Sequence, residues 1–472
     1  MLKNRASLKS NLIGDKAFYR RVLSVAIPII IQNGISNFVN LLDNIMVGQV
    51  GTIPMSGVAI VNQLLFVFNL CVFGAASGAG IFTAQFCGSR DHEGIRHTFR
   101  FKIMVGLLLA ALGIGIFLTA GTPLIQLYLT GEGSPEDVAQ TLHYGLRYLH
   151  IMLIGLVPFA LSNAYSGTLR ETGQTVVPMA AGICAVLVNL AFNYILIFGK
   201  FGAPAMGVEG AAWATVIAQA VSFLIAAFYL SKSRFVFDFR LRSFRIVKDK
   251  MKMMIKLGIP SSVQSIIVNI SFLVMSAVVN TIGGVVASAA VGIVGKFNSF
   301  AILPAVAMSN SVSAYAAQNI GAGFHDRARK CLNVGIAIAL SISAVILAAV
   351  QLFPETIIGF FDSNADTIRD GVAYIRTFSI EYLFIPILFC INGLIMGAGH
   401  TFFTLISGAL SSLLLRIPVA IIFGSVLGWG LPGVGLAGPA ATLFSVLFAG
   451  WFLLSGRWLK DKTGIRREEG MG

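Results

Sequence analysis

The sequence predicts an all-α integral membrane protein of twelve transmembrane helices, arranged as two six-helix pseudo-symmetric lobes. Three observations carry that prediction: an apolar composition, twelve long apolar runs, and an internal repeat in the parallel sense. Of 472 residues, 56% are hydrophobic and only 11% charged, and mean hydropathy is +0.83. A soluble domain carries about 25% charged residues, so a water-soluble globule is excluded. Thirty-six Phe exclude disorder, and 50 Gly without a Gly-X-Y period exclude collagen.

A spanning helix needs about 20 mostly apolar residues. Such runs occur near 22–48, 57–86, 101–120, 141–166, 177–199, 208–231, 254–282, 287–317, 332–353, 372–396, 402–427 and 433–455. The connections are mostly short. Residues 1–21 are polar and basic, and the first run exceeds a signal-peptide core, so no cleaved leader is expected.

Net charge is +14, but the positive residues lie in short segments between apolar runs rather than along one face. That argues against nucleic acid and gives orientation instead. With the N-terminus inside, 28 of the 34 Lys and Arg fall on the cytoplasmic side, nine of them between the sixth and seventh spans. Acidic loops (Glu132, Glu136, Asp137; Glu355, Asp362, Asp366, Asp370) fall opposite. Both termini are expected to be cytoplasmic and the chain multi-pass in the cell membrane.

The repeat is legible in five ordered anchors. Ile27-Pro28-x-x-x-Gln32 recurs as Ile259-Pro260-x-x-x-Gln264, and Ala84-Gln85-x-x-Gly88 as Ala317-Gln318-x-x-Gly321. Pro158 answers Pro386, Gly173-x-Thr175 answers Gly399-x-Thr401, and Gly207-Val208 answers Gly433-Val434, at offsets drifting from 233 to 226. Six spans per repeat make the halves parallel. The expected organisation is an N-terminal segment 1–21, a first lobe 22–231, a basic linker 232–253, a second lobe 254–455 and a tail 456–472. Duplicated bundles commonly place a substrate path between halves.

Polar residues deep in a span are expensive and so mark candidate sites. Asp43 is acidic within the first apolar run. At about 100° per residue, Gln32, Ser36, Asn40 and Asp43 share one face, flanked by Asn33, Asn37 and Asn44. The alternative is that the amides bond neighbouring helices. Asn189 and Asn193 lie one turn apart in the fifth span, and Thr215 in the sixth is placed to join them. Together they form an oxygen-rich set suited to a monovalent cation, or to a proton on Asp43. In the second lobe Met275 stands at the position of Asp43, while Lys296 and Arg416 are basic; Arg416 reads either as a structural partner for carbonyls or an acid, or as a cavity residue. Gln32, Ser36, Asn37, Asn40, Gln264, Asn269, Lys296 and Arg416 are the candidate cavity residues. Glu381 and Arg376 are expected to snorkel from the end of the tenth span.

Other signals carry little. Gly428-x-Gly430-x-x-Gly433 has no preceding strand, so it reads as a turn. No Walker loop, metal-spaced His pair or Ser-His-Asp set appears. The five cysteines (Cys71, Cys87, Cys184, Cys331, Cys390) have no C-x-x-C spacing and read as small buried hydrophobes. No metal is expected beyond possible Na⁺ at Asp43, no cofactor, and no obligate protein partner.

On these residues the chain resembles the multidrug and toxin extrusion (MATE) transporters. The resemblance spans about residues 20–455 and rests on Ile27-Pro28 to Gln32 running into Asp43-Asn44-x-Met46-Val47-Gly48, Ala84-Gln85-x-x-Gly88, and Gln318-Asn319-x-Gly321. Leu169-Arg170-x-Thr172-Gly173, Asn189-x-x-x-Asn193-Tyr194 through Gly199, and Gly207-Val208-x-Gly210-Ala211-Ala212-x-Ala214-Thr215 extend it. The resemblance implies two lobes alternating in access, and export of organic, often cationic compounds against inward H⁺ or Na⁺, with no enzymatic step. It maps ion coupling onto Asp43 and the accompanying site onto Asn189, Asn193 and Thr215. Some members have an acid where this chain has Asn193. Acids in the seventh and tenth spans of other members find no match at Val268, Asn269 and Ile385. A flippase or exporter of an anionic or lipid-linked metabolite is the alternative, favoured by Lys296 and Arg416. An intramembrane enzyme lacks the clustered carboxylates it needs, and a channel has no use for Asp43 in coupling.

Overall fold

A computed structural model of the chain describes residues 16–129, 134–232 and 248–460. Every regular element among them is helical. The first half holds α1 (Lys16–Gly48), α2 (Thr52–Ser89), α3 (His92–Leu129), α4 (Pro135–Glu171), α5 (Val176–Phe198) and α6 (Val208–Lys232). The second holds α7 (Lys248–Ala301), α8 (Leu303–Gly321), α9 (His325–Leu352) and a short α10 (Pro354–Gly359). It continues with α11 (Ala365–Phe378), α12 (Ile385–Gly397), α13 (Thr401–Val426) and α14 (Gly430–Leu454). Most of the expected linker, the start of the N-terminal segment, the end of the tail and Glu132 lie outside the described residues.

Local chemistry fixes several ends. Ser134 Oγ accepts the Asp137 N–H at 3.2 Å ahead of Pro135 at the start of α4, and Asn364 Oδ1 accepts the Asp366 N–H at 2.9 Å ahead of α11. Gly199 closes α5 in the left-handed conformation. Among the described residues nine helices are long and apolar enough to cross a bilayer, and the bent pair α11–α12 makes ten. Gly284, with φ 64° and ψ −150°, divides α7 into two crossings, a conformation open to glycine alone. The 33-residue α1 completes the twelve.

The helices depart from the sequence expectation in three places. α3 and α4 run well beyond 101–120 and 141–166, because their polar flanks continue as helix. The tenth span is not a continuous run over 372–396: a 3₁₀ turn at Ser379–Leu383 separates α11 from α12 with a 42° bend, where Pro386 withdraws a backbone donor. α13 carries π-helical turns at Leu410–Arg416 and Ala420–Val426, on either side of Pro418. Widened turns accommodate the proline ring, which otherwise strikes the preceding turn.

The chain divides into two compact units. One comprises the described residues of Ile31–Thr83 and His92–Ile255; the other those of Met1–Ile30, Ala84–Asp91 and Lys256–Gly472. In the first unit the core runs from Val47, Val61 and Phe68 through Leu149, Met152 and Leu156 to Ala211, Ala212 and Val216. Without a hydrophobic drive between helices in lipid, close backbone approach through small residues carries such packing. Accordingly Gly210 of α6 lies so near α5 that a Cβ there would be 2.6 Å from the Leu196 carbonyl carbon. In the second unit Met308, Val312, Cys390, Leu394 and Phe452 form one core, joined by Ala26 of α1. Within that unit the ends of α2 and α8 cross reciprocally. A Cβ on Gly88 would lie 1.9 Å from the Gln318 carbonyl oxygen, and one on Gly321 2.1 Å from that of Gln85.

Candidate functional site

The helical spacing that put Asn189 and Asn193 on one face of α5 delivers both to Asp43 of α1. Asn193 Nδ2 donates to Asp43 Oδ1. The Asn189 amide atom facing the carboxylate stands 2.8 Å from Oδ1 and 3.1 Å from Oδ2, and as the nitrogen it donates to both. Turned about its terminal bond, the same amide donates to Thr215 Oγ1 at 3.3 Å and accepts from Asn193 Nδ2 at 3.2 Å. Thr215 itself donates to the Ala211 carbonyl at 3.0 Å, one turn back on α6. Asn189 and Asn193 are buried, and Asn193 Oδ1 accepts no hydrogen bond from the protein.

Two amide orientations match two chemical states. An ionised Asp43 needs N–H groups directed at it, as both asparagines can supply. A protonated Asp43 instead donates to an amide oxygen, and a small cation wants the oxygens of Asp43, both amides and Thr215 together. The donor set fits a hard monovalent cation or a proton. Among the described residues no group of three His, Cys, Asp or Glu is assembled for a metal ion.

The remaining candidates are scattered. Gln32 packs against Gly182 of α5, where a Cβ would lie 2.8 Å from Gln32 Nε2; Gln264 packs on Gly408 at 3.1 Å in the same way. Both pairs occupy matching positions of the repeat. Ser36 and Asn37 are half-buried and Asn40 is exposed on α1. Asn269 Nδ2 donates to the Ser265 carbonyl of its own helix at 2.8 Å. Lys296 is exposed on α7.

Arg416 is buried, and its partner is Glu381, whose expected snorkelling is thereby corrected. Arg416 Nη2 stands 3.6 Å from Glu381 Oε1, and Thr442 Oγ1 donates to the same oxygen at 2.5 Å. Arg416 Nη1 donates to Ser271 Oγ at 3.4 Å, and its Cζ lies 4.6 Å from the centre of the Phe272 ring. Glu381 is only 4% exposed. Gly438 makes room for it, since a Cβ there would lie 2.5 Å from Oε2. Arg376, by contrast, is exposed as expected.

A second ion pair also escaped the sequence. Lys102 of α3, one of the 28 Lys and Arg assigned to the cytoplasmic side, is 4% exposed and donates to Glu171 and, at 3.2 Å, to Thr168 Oγ1. Gly80 leaves the space Glu171 occupies. Neither acid lies deep within an unbroken apolar run, which is why hydropathy passed over them.

Comparison with known proteins agrees with this architecture. The model of the MatE family matches residues 28–195 and again 260–422, once in each half of the repeat. The probable multidrug resistance protein YoeA of Bacillus subtilis (strain 168) is 27% identical over 437 residues, covering 91% of this chain and 92% of its own. The probable multidrug resistance protein NorM of Thermotoga maritima is 27% identical over 448 residues, covering 93% of each. Among solved structures, a multidrug resistance MATE family transporter in an outward-facing conformation superposes with TM-score 0.86 at 22% identity, over 95% of this chain and 98% of its own. A MOP superfamily transporter from Pyrococcus furiosus, described as having a binding pocket of reverse polarity, superposes with TM-score 0.83 at 21% identity, over 97% and 98%. The two matches of the family model together cover more than two thirds of the chain, which therefore belongs to the MatE family and is a multi-pass membrane transporter rather than an enzyme.

Proposed function

We propose that this chain exports amphipathic organic compounds, many of them cationic, across the cell membrane by alternating access, driven by inward H⁺ or Na⁺. The observation that carries the reading is the meeting of Asp43, Asn189, Asn193 and Thr215 in one polar cluster of the first lobe. A buried amide oxygen of that cluster, Asn193 Oδ1, has no protein donor. The relatives named for multidrug resistance support the substrate class. The distribution of Lys and Arg supports cytoplasmic termini.

In mechanism, Asp43 holds the ion. When a proton or Na⁺ arrives, Asn189 and Asn193 exchange donor for acceptor atoms toward the carboxyl group, and the packing of α1 against α5 changes with them. Pro28, inside the helix and without a backbone donor, gives α1 a place to bend. The ion moves the equilibrium only as far as it binds the two conformations differently. The site acts as one chain, with no cofactor and no obligate partner.

One observation favours a second reading, export of an anionic or lipid-linked metabolite: Lys296 is a cation exposed on an apolar helix. Arg416 no longer adds to it, being neutralised by Glu381. Uptake of a fluorescent organic cation into proteoliposomes, under separate Na⁺ and pH gradients, distinguishes the two. Accumulation under one gradient supports the cation exporter and names its ion. No driven movement of the cation, with movement of an anionic probe, transfers the weight to the second reading.

A further inference from the structure

The polar character of α6 does not stop at Thr215. Gln219 follows one turn later and Ser222 two turns later, and at about 100° per residue all three share one face. That face meets α4. A Cβ on Gly155 of α4 would lie 2.7 Å from Gln219 Oε1 and 3.0 Å from Val216 Cγ2, so the missing side chain leaves the amide its room. Farther along, Ser162 Oγ of α4 and Ser222 Oγ stand 3.0 Å apart. A polar seam thus continues from the Asp43 cluster between α4 and α6 over about 10 Å.

Hydroxyls and amides between spans commonly serve to join helices. The serine pair is accounted for in that way, but Gln219 is not. Its Oε1 is buried and accepts no hydrogen bond from the protein. Among the described residues of this unit one other buried side-chain polar atom shares that condition, Asn193 Oδ1 of the Asp43 cluster itself. A buried acceptor without a donor costs free energy, and each such atom calls for an explanation. Here the two lie on neighbouring helices, on either side of Thr215 along the same polar route.

We propose that Gln219 Oε1 and Thr215 Oγ1 form a second, weaker station for the coupling ion, taking Na⁺ or hydronium one turn inward of the Asp43 cluster. This rests on reading that cluster as an ion site and the Lys232 end of α6 as cytoplasmic. Both station oxygens are neutral, whereas Asp43 brings a carboxylate. An ion is therefore held more loosely at Gln219 than at Asp43, as a departing ion must be. Thr215 joins the two sites. In the orientation that serves an ionised Asp43, Asn189 turns its N–H groups to the carboxylate and withdraws them from Thr215. The hydroxyl oxygen is thus freed for the ion at the step when Asp43 gives it up. Beyond Gln219 the Ser162–Ser222 contact closes the seam, so the station is a stop rather than an open pore.

The test uses the full-length protein in proteoliposomes, with a fluorescent organic cation and whichever gradient, Na⁺ or pH, drives its accumulation by the native protein. The readout is the ion concentration at which the accumulation rate is half-maximal. Gln219→Leu removes the oxygen and should raise that concentration about tenfold or more. Gln219→Glu keeps an oxygen in place and adds charge, so it should lower it. Gly155→Ala presses on the same oxygen from α4 and should act in the direction of Gln219→Leu. A residue that only joins helices moves all the variants in one direction, or none. If Gln219→Leu is not recovered folded, Gly155→Ala and Gln219→Glu decide by their opposite shifts. Native values in the Gln219 variants, or shifts of one sign in all three, overturn the proposal, and leave the Asp43 reading standing where Asp43→Asn abolishes accumulation. No driven accumulation by the native protein, or native accumulation in Asp43→Asn, overturns both.

Discussion

The Arg416 guanidinium lies 3.6 Å from the Glu381 carboxylate, and both residues are buried. An ion pair so placed is weak evidence of net stabilisation, because taking two charges out of water offsets their attraction. Losing one partner is another matter, since it strands the other charge. Glu381→Gln is expected to destabilise the protein by about 3–5 kcal/mol. Thr442→Val removes only one hydrogen bond to the same oxygen and should cost about 1–2 kcal/mol. Unfolding of the two variants in detergent checks the order; a Thr442→Val loss as large as that of Glu381→Gln contradicts it.

The Gly88–Gly321 crossing gives a steric prediction. The obstruction at each position is carbonyl backbone, 1.9 Å and 2.1 Å from where a Cβ would sit, and backbone of a packed helix cannot swing away as a side chain can. Gly88→Ala and Gly321→Ala should each lower stability by about 1–3 kcal/mol. Gly115→Ala meets nothing within 4 Å on α3 and serves as the control. It should be neutral or slightly stabilising through helix propensity, by less than about 1 kcal/mol. Thermal unfolding of the three proteins in parallel reads the difference.

Beside that crossing, Gln85 Nε2 donates to the Gly397 carbonyl at 2.8 Å, and Gln85 is 1% exposed. Gln85→Leu nearly conserves volume and leaves a buried carbonyl short of that donor. A loss of about 1–3 kcal/mol is expected, whereas Gln85→Glu adds a buried charge facing a carbonyl and should be worse. Expression level and Tm of the two variants rank them.

Asn193→Asp places a second carboxylate where an amide now donates to Asp43. Two anions this close cannot both stay ionised without a cation between them. The variant should therefore bind Na⁺ or Li⁺ more tightly than the native protein, by about tenfold or more for a gain of 1.4 kcal/mol. Tm measured against Na⁺ at constant ionic strength tests this; unchanged ion response in a folded Asn193→Asp protein counts against a cation site here.

How much was legible in the sequence depended on how local the cause was. Asn189 and Asn193 are four residues apart, so helical periodicity alone put them on one face, and the structure joins that face to Asp43. The duplication was readable from Pro28, Pro260, Gln85 and Gln318, because residues at close helix contacts recur in order. Glu381 was misread because its burial depends on Arg416 and Thr442, far away in sequence, and on a bend at Pro386 that hydropathy does not show. That Arg416 would partner an acid was one of the two readings the sequence allowed; which acid was not legible, because Glu381 lies on another helix. Lys102 counts toward the orientation with Arg90, Arg96 and Arg100, but its burial depends on Glu171, 69 residues away, which no local pattern shows.

The most direct measurement compares native protein with Asp43→Asn in proteoliposomes, following both ion-driven accumulation of a fluorescent organic cation and its downhill exchange. If Asp43 couples ion to substrate, the variant keeps exchange but loses accumulation under every gradient. Accumulation that persists in Asp43→Asn at the native level contradicts the assignment.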